Sequence, residues 1–427
     1  MSRVIGRGPA SVVVPALVAA LLVSTIAPVR AQRAEGVAAL LRTAPVSRAV
    51  EVARSIEPQT LDDQVRFCEI PAPPFGEAQR GEALRRTFVA LGLRNVRVDR
   101  VGNVLGERPG RAPRPRLVVA AHLDTVFPRE TSVKVVREGT MLRGAGIGDN
   151  CRGLAVLVAI VRSLNTAQVR TGGPVTFVAN VGEEGLGDLR GVKALFSETL
   201  KGQVDRFVTI DNAGIQLSAV GVGSRRYRVS FRGAGGHSFA DFGRPNPANA
   251  LGRAVARIAE FRVPANPFTT FNVGRIGGGT SVNAIPEEAW MEVDLRSSDP
   301  ATLKDLDSRL LRTVDAAMAE ENARWAAGSR ITVEKKLVGD RPAGSTPASS
   351  PLVRTAEAVA RVLGLSSIPS EASSDANLPM SLGVPAIAIG GGGQSFGSHS
   401  EQERFETTNA WQGTQNAVLL TVALSQD

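Results

Sequence analysis

Residues 117–121, LVVAA, form an unbroken apolar run that ends directly on His122. A half-exposed strand would alternate apolar and polar residues. A continuous run of this length fits a strand buried on both faces, and such strands belong to sheets covered by helices on either side. The segments that follow obey the same logic. Spacing predicts a helix over 154–164, a strand over 175–181, a helix over 192–200 and a strand over 207–210. Strand–helix alternation predicts an α/β fold, with a mixed sheet flanked by helices on both faces. Upstream, 34–56 and 77–92 carry helical periodicity, 96–98 and 103–105 read as short strands, and 109–115 is a proline-rich loop.

Near Gly221 the pattern changes. RYRVSFR at 226–232 alternates strictly, as an antiparallel strand with one exposed face would. Asn246 is placed to cap a helix that has Pro247 at its first position, and Leu251, Ala254, Val255 and Ile258 form that helix's apolar stripe. A strand at 289–295, a helix over 303–318 and a strand over 331–338 complete a compact α+β insert. GDRPAGSTPASSP at 339–351 reads as a linker by composition. A helix at 353–363 and a strand at 386–389 then resume the first pattern. The chain of 427 residues is too long for one core. The predicted division is a leader at 1–31, a larger domain at 32–221 and 341–427, and a smaller inserted domain at 222–340.

The leader is predicted from Arg3 and Arg7, an apolar run over 12–27, and the small-residue pattern Val29-Arg30-Ala31. These are the marks of a secretory signal cut after Ala31, which predicts a periplasmic or secreted protein. The alternative is an uncleaved anchor, but the run is short for a span of about 20 residues and contains Pro15. Cleavage removes three arginines and no acids, so a formal charge of +9 becomes +6. The basic residues are scattered, without like-charge blocks or interleaved aromatics, which argues against nucleic acid as a partner. Cys68 and Cys151 remain after cleavage, and sequence leaves open whether they pair.

The chain has only three histidines, His122, His237 and His399, each in a segment suited to metal chemistry. His122, the Glu183–Glu184 pair and Asp211 each fall at or just past the C-terminal end of a predicted strand. In open α/β sheets that edge is where sites assemble. Asp149 follows the loop Gly144-x-Gly146-x-Gly148 and precedes a predicted helix. His122 and Asp124, two apart on an extended segment, point to the same side, which suits an imidazole ligand steadied by a carboxylate. Two adjacent glutamates buried together need cations. Asp149, Asp211 and Glu184 with one hydroxide balance two divalent ions when His122 and His399 are neutral.

His122-x-Asp124, Gly-x-Gly-Asp149, Glu183-Glu184-Gly185, Asp211-Asn-Ala-Gly, Gly-Gly-His237-Ser and the late His399 stand in an order that resembles the dizinc exopeptidases and deacylases of metallopeptidase family 20. That family includes peptidase T, glutamate carboxypeptidases, aminoacylases and succinyl-diaminopimelate desuccinylase. The likeness runs from about Ile70 to the C-terminus. It implies a phosphorylase/hydrolase-like core with a lid and dimerisation insert, two metal ions, most often zinc with cobalt or manganese as substitutes, and a homodimer. It implies that Asp149 is shared by both ions, that His122 and Asp211 complete one site, and that Glu184 and His399 complete the other. Asp124 would orient His122, and Glu183 would act as general base, passing a proton from water to the leaving amine. His237 would reach the site of a partner subunit to stabilise the oxyanion, and Asn283 and Arg296 would grip a substrate carboxylate. Two departures stand out: Cys151 lies where many relatives carry lysine or serine, and Asp211 lies where deacylases and carboxypeptidases usually carry glutamate. The second favours di- or tripeptides with a free amino end over N-acyl amino acids.

Two rival readings follow from other features. Gly393-Gln394-Ser395-Phe396-Gly397 matches a serine nucleophile elbow, yet no acid separates Ser395 from His399. A binder that keeps the fold without the chemistry would be expected to lack a ligand or the base, and neither is missing.

Overall fold

The structure, a computed structural model, describes residues 32–325 and 329–426, so the predicted leader lies outside the described residues. No helix among the described residues is long and apolar enough to cross a membrane.

The apolar run at 117–121 becomes the strand Leu117–His122, with all six residues buried. Its side chains alternate between two cores. Leu117, Val119 and Ala121 join the cluster containing Leu154, Val158 and Val418, from the helices Cys151–Thr166 and Trp411–Leu424. Val118 and Ala120 join Leu189, Val192 and Met380 on the other face. Period-two alternation thus feeds helical layers on both sides of one sheet. Each such fully buried aliphatic side chain contributes roughly 1.5–3 kcal/mol.

The sheet has nine strands. Their order is Arg94–Val98, Val104–Arg108, Val175–Asn180, Leu117–His122, Arg206–Ile210, Ala386–Ile389, Gln216–Gly221 and Gly344–Ser345, with Ile368–Ala372 also pairing with Gln216–Gly221. Leu117–His122 is parallel to both of its neighbours, whereas the pairings of Arg94–Val98 and Val104–Arg108 are antiparallel. The sheet is therefore mixed, as expected.

The strand Gln216–Gly221 runs on through Val222 into Gly223–Arg232, the first strand of a separate four-stranded antiparallel sheet. The order there is Thr269–Gly278, Glu288–Ser297, Gly223–Arg232, Thr332–Arg341. Glu288–Ser297 alternates in burial along its whole length. Its inward face packs with Leu251, Ala254, Leu306 and Leu310 from the helices Pro247–Ala259 and Pro300–Arg324. Asn246 caps the first of these as predicted, its side chain accepting from the Ala248 N–H at 2.8 Å. The segment 339–351 is not simply a linker. It carries the end of Thr332–Arg341 and then Gly344–Ser345, which pairs with Val220 and Gly221 of the large sheet.

Candidate metal centre

His122 and Asn180 are register partners in adjacent parallel strands, and Ala120 pairs with Thr209, the penultimate residue of Arg206–Ile210. The C-terminal ends of three strands are therefore level. His122, Glu183, Glu184 and Asp211 project from that edge. Asp149 is brought to it by the glycine loop and the helix Cys151–Thr166, where Asn150 caps the Gly153 N–H at 3.1 Å. His399 comes from the turn between the short strands Gln394–Phe396 and Arg404–Glu406, with φ +66°.

Asp149 lies between the two histidines. Its Oδ1 is 3.2 Å from His122 Nε2 and its Oδ2 is 3.3 Å from His399 Nε2. Asp211 Oδ1 stands 3.7 Å from His122 Nε2, and Glu184 Oε1 stands 3.1 Å from His399 Nε2. Potential ligand atoms of His122, Asp149 and Glu184 all lie within 4.8 Å of one another. His122 Nε2 and Asp149 Oδ1 are buried without a hydrogen-bond partner and face each other. Orphaned nitrogen and oxygen donors at such spacing fit a divalent cation.

The electrostatics agree. Burial pushes the His122 pKa down, but Asp124, Asp149 and Asp211 override it and leave it well above the ordinary value. Asp149 and Glu184 raise His399 to about 10. Burial raises the Asp149 pKa, and its two histidine partners reverse that and hold it low. A cluster of carboxylates this dense calls for positive charge, and divalent cations would supply it with both rings neutral.

Asp124 acts differently from the expectation. His122 Nδ1 meets the Asp124 backbone carbonyl at 3.0 Å, while the carboxylate is 3.7 Å away. That carboxylate instead accepts the N–H groups of Glu183 and Glu184, at 3.0 and 2.8 Å. It fixes the acidic pair by its backbone. Spacing showed that Asp124 faces the site, but not which group its carboxylate would take.

Glu183 has a partner that sequence reasoning missed. Arg341 Nη1 donates to Glu183 Oε1 at 2.8 Å, and Nη2 donates to the Glu183 carbonyl. Both side chains are about 5% exposed, so this ion pair is shielded from water. Burial drives the Glu183 pKa well up, Arg341 pulls it back, and Glu184 pushes it up again. The linker-like composition of 339–351 hid Arg341. Arg226 was also missed: it donates to Asp294 at 3.2 Å and to the Gly185 carbonyl at 3.1 Å. Arg296 shares Asp294 from its other side at 2.7 Å. These residues line a cleft of about 620 Å³ with Asp149, Glu184, Asp211 and His399 on its floor.

His237 and Asn283 are not among the residues lining that cleft. They sit together on a two-stranded ribbon of the insert, where His237 pairs with Ala284 and the Ser238 N–H meets the Asn283 carbonyl at 2.9 Å. The His237 ring accepts from its own loop, at Phe239 N and Ala240 N.

Cys68 and Cys151 are both buried and unbonded, their thiols in contact within an apolar cluster with Ile147 and Phe405. Ser395 Oγ lies 3.4 Å from Ser398 Oγ and 3.5 Å from Glu403 Oε1, while His399 is committed to Asp149 and Glu184. No nucleophile–histidine pair forms at the elbow motif, and the serine reading fails.

A hydrolase that works through bound cations is the class this sheet edge and its insert define. A sequence profile of peptidase family M20/M25/M40 matches residues 118–422, and the chain belongs to that family of metallopeptidases. It is 24% identical over 347 residues to a succinyl-diaminopimelate desuccinylase of Corynebacterium glutamicum, covering 79% of this chain and 89% of the relative. Among solved structures, aminopeptidase PepT of Bacillus cereus superposes with a TM-score of 0.70 at 19% identity, over 87% of this chain and 99% of that one. The YXEP protein of Bacillus subtilis, described as a dinuclear metal-binding peptidase, gives 0.64 at 16% identity, over 86% and 98%.

Proposed function

We propose that this chain is a two-metal exopeptidase that removes the amino-terminal residue of di- and tripeptides after export. The observation that carries the metal reading is the placement of Asp149, one carboxylate oxygen facing His122 and the other facing His399. His122 and Asp211 would hold one ion, and Glu184 and His399 the other, with Asp149 shared. Bound there, two zinc ions would supply Lewis acidity toward the scissile carbonyl, with cobalt or manganese as substitutes. Glu183 takes a proton from water and delivers it to the leaving amine. Arg341 aims that carboxylate, holding one oxygen and the backbone carbonyl of Glu183.

Cleft charge supports a short substrate with a free carboxylate. The wall has Arg226 and Arg296 sharing one acid, Asp294, and attracts a carboxylate. A second reading, an N-acyl amino acid deacylase or carboxypeptidase, draws on that same arginine wall and on the desuccinylase relative. His237 and Asn283 would then serve a neighbouring copy across a dimer formed through the insert.

Metal analysis of the mature protein should find two divalent ions per chain. Chelation should abolish turnover, and zinc, cobalt or manganese should restore it. Free dipeptides should be cleaved and their N-acetylated forms spared; the reverse preference would establish the deacylase reading. Glu183→Gln should keep both ions and lose roughly 10²–10⁴-fold in kcat. Full turnover in that variant removes Glu183 as the base.

A further inference from the structure

The loop Gly144-x-Gly146-x-Gly148 looks like an anion cradle, yet no phosphate-binding lysine follows it. The acceptor it holds belongs to the protein. Glu403, fully buried, accepts the N–H of Gly146 at 3.0 Å through Oε2. Through Oε1 it accepts the N–H groups of Gly148 at 2.8 Å and of Asp149 at 3.0 Å. Its own carbonyl accepts the Gly144 N–H at 3.1 Å. Successive N–H groups converging on one carboxylate form a backbone nest.

The glycines are required for this wrapping. Gly146 sits at φ +79°, in the left-handed region. A Cβ on Gly148 would come within 2.3 Å of Ser395 Oγ and 3.0 Å of Glu403 Oε1. The carboxylate that organises the loop also stands four residues after His399, at the far end of the same turn. One buried side chain therefore fixes the backbone of Asp149 and anchors the turn that presents His399, across 254 residues of sequence.

We infer that Glu403 is a positioning residue, an internal hydrogen-bond acceptor that sets the Asp149 and His399 side chains at cation-binding distance before any cation arrives. Glu403 is not among the residues lining the cleft, so it acts through the two side chains it places. The inference rests on Asp149 and His399 being ligands.

Two measurements test it. In wild-type protein stripped of metal, hydrogen exchange should find the amides of Gly146, Gly148 and Asp149 strongly protected, because their acceptor is already present. Protection that develops only on adding Zn²⁺ overturns the inference. In Glu403→Gln, one acceptor oxygen becomes a donor facing N–H groups. Zn²⁺ affinity, read by competition with a chromogenic chelator, should fall roughly ten- to a hundredfold. Leu310→Ala, a core truncation in the insert, serves as a control of comparable thermal destabilisation and should bind Zn²⁺ like wild type. Equal affinity in Glu403→Gln and wild type, or an equal loss in the control, overturns the positioning role. Wild-type protein that binds no Zn²⁺ refutes the metal reading itself, a separate result. Should Glu403→Gln fail to fold, the exchange measurement on wild type still decides.

Discussion

Asp375 is fully buried behind the centre and accepts one hydrogen bond, from Asn180 Nδ2 at 2.7 Å. Burial first, then repulsion from Asp211 and Asp124, outweighs the pull of His122 and Asn180 and raises its pKa from 3.8 to about 7. A raised folded-state pKa means the native protein binds the proton more tightly than the unfolded chain does. The resulting stabilisation is complete below about pH 4 and is lost as pH rises through 7. Asp375→Asn keeps the neutral shape and does not titrate. In metal-stripped protein, the Tm of Asp375→Asn relative to wild type should therefore climb between pH 5 and pH 8; a flat difference would show that Asp375 does not titrate there. At this scale the sequence picked out residues that the structure brings together, His122, Asp149, Glu184 and His399. Arg341, Glu403 and Asp375 are ordinary charged residues until tertiary contacts bury them, and no local spacing announces that.

Elements were legible where burial is uniform or strictly alternating. The strand at 117–121 and the one at 226–232 are both present, slightly longer than predicted. The helix Glu57–Cys68 was missed, as was Thr269–Gly278, an edge strand rich in glycine with only Thr269 fully buried. Neither carries a clean period. Glu57–Cys68 matters because it reaches the helix behind the centre. Arg152 donates to Glu57 at 2.7 Å and to the Gly391 and Ala410 carbonyls, each at 2.7 Å, with its own side chain wholly buried. It ties the helix that follows Asp149 to elements from both ends of the chain. Arg152→Met leaves Glu57 unpaired in the interior and should cost about 3–5 kcal/mol in urea unfolding. Adding Glu57→Gln should restore part of that loss, and strict additivity of the two changes would deny the coupling.

On the scale of the whole molecule, the proposed ligands bridge two stretches of chain separated by the insert. Cation binding to the native state alone stabilises it by about 2.7 kcal/mol per site at a hundredfold excess over Kd. Chelation should therefore lower Tm by several degrees, and readdition of Zn²⁺ should reverse the change; an unmoved Tm would mean the ions are not held between these segments. The α/β core and its antiparallel insert were both visible as a switch from buried runs to alternation near Gly221. The return was blurred, because the segment rich in glycine, proline and serine at 339–351 reads as slack chain. Its structure is set by pairing with Val220 and Gly221, a partner more than a hundred residues away.

Arg341, which grips Glu183, is the last residue of the strand Thr332–Arg341 that leads out of the insert. Arg226, which grips the Gly185 carbonyl, lies on the strand Gly223–Arg232 that leads in. Both arginines thus land on the loop that bears the proposed base. The position of the insert and the placement of the Glu183 carboxylate are therefore joined through two guanidinium groups, and neither is set without the other.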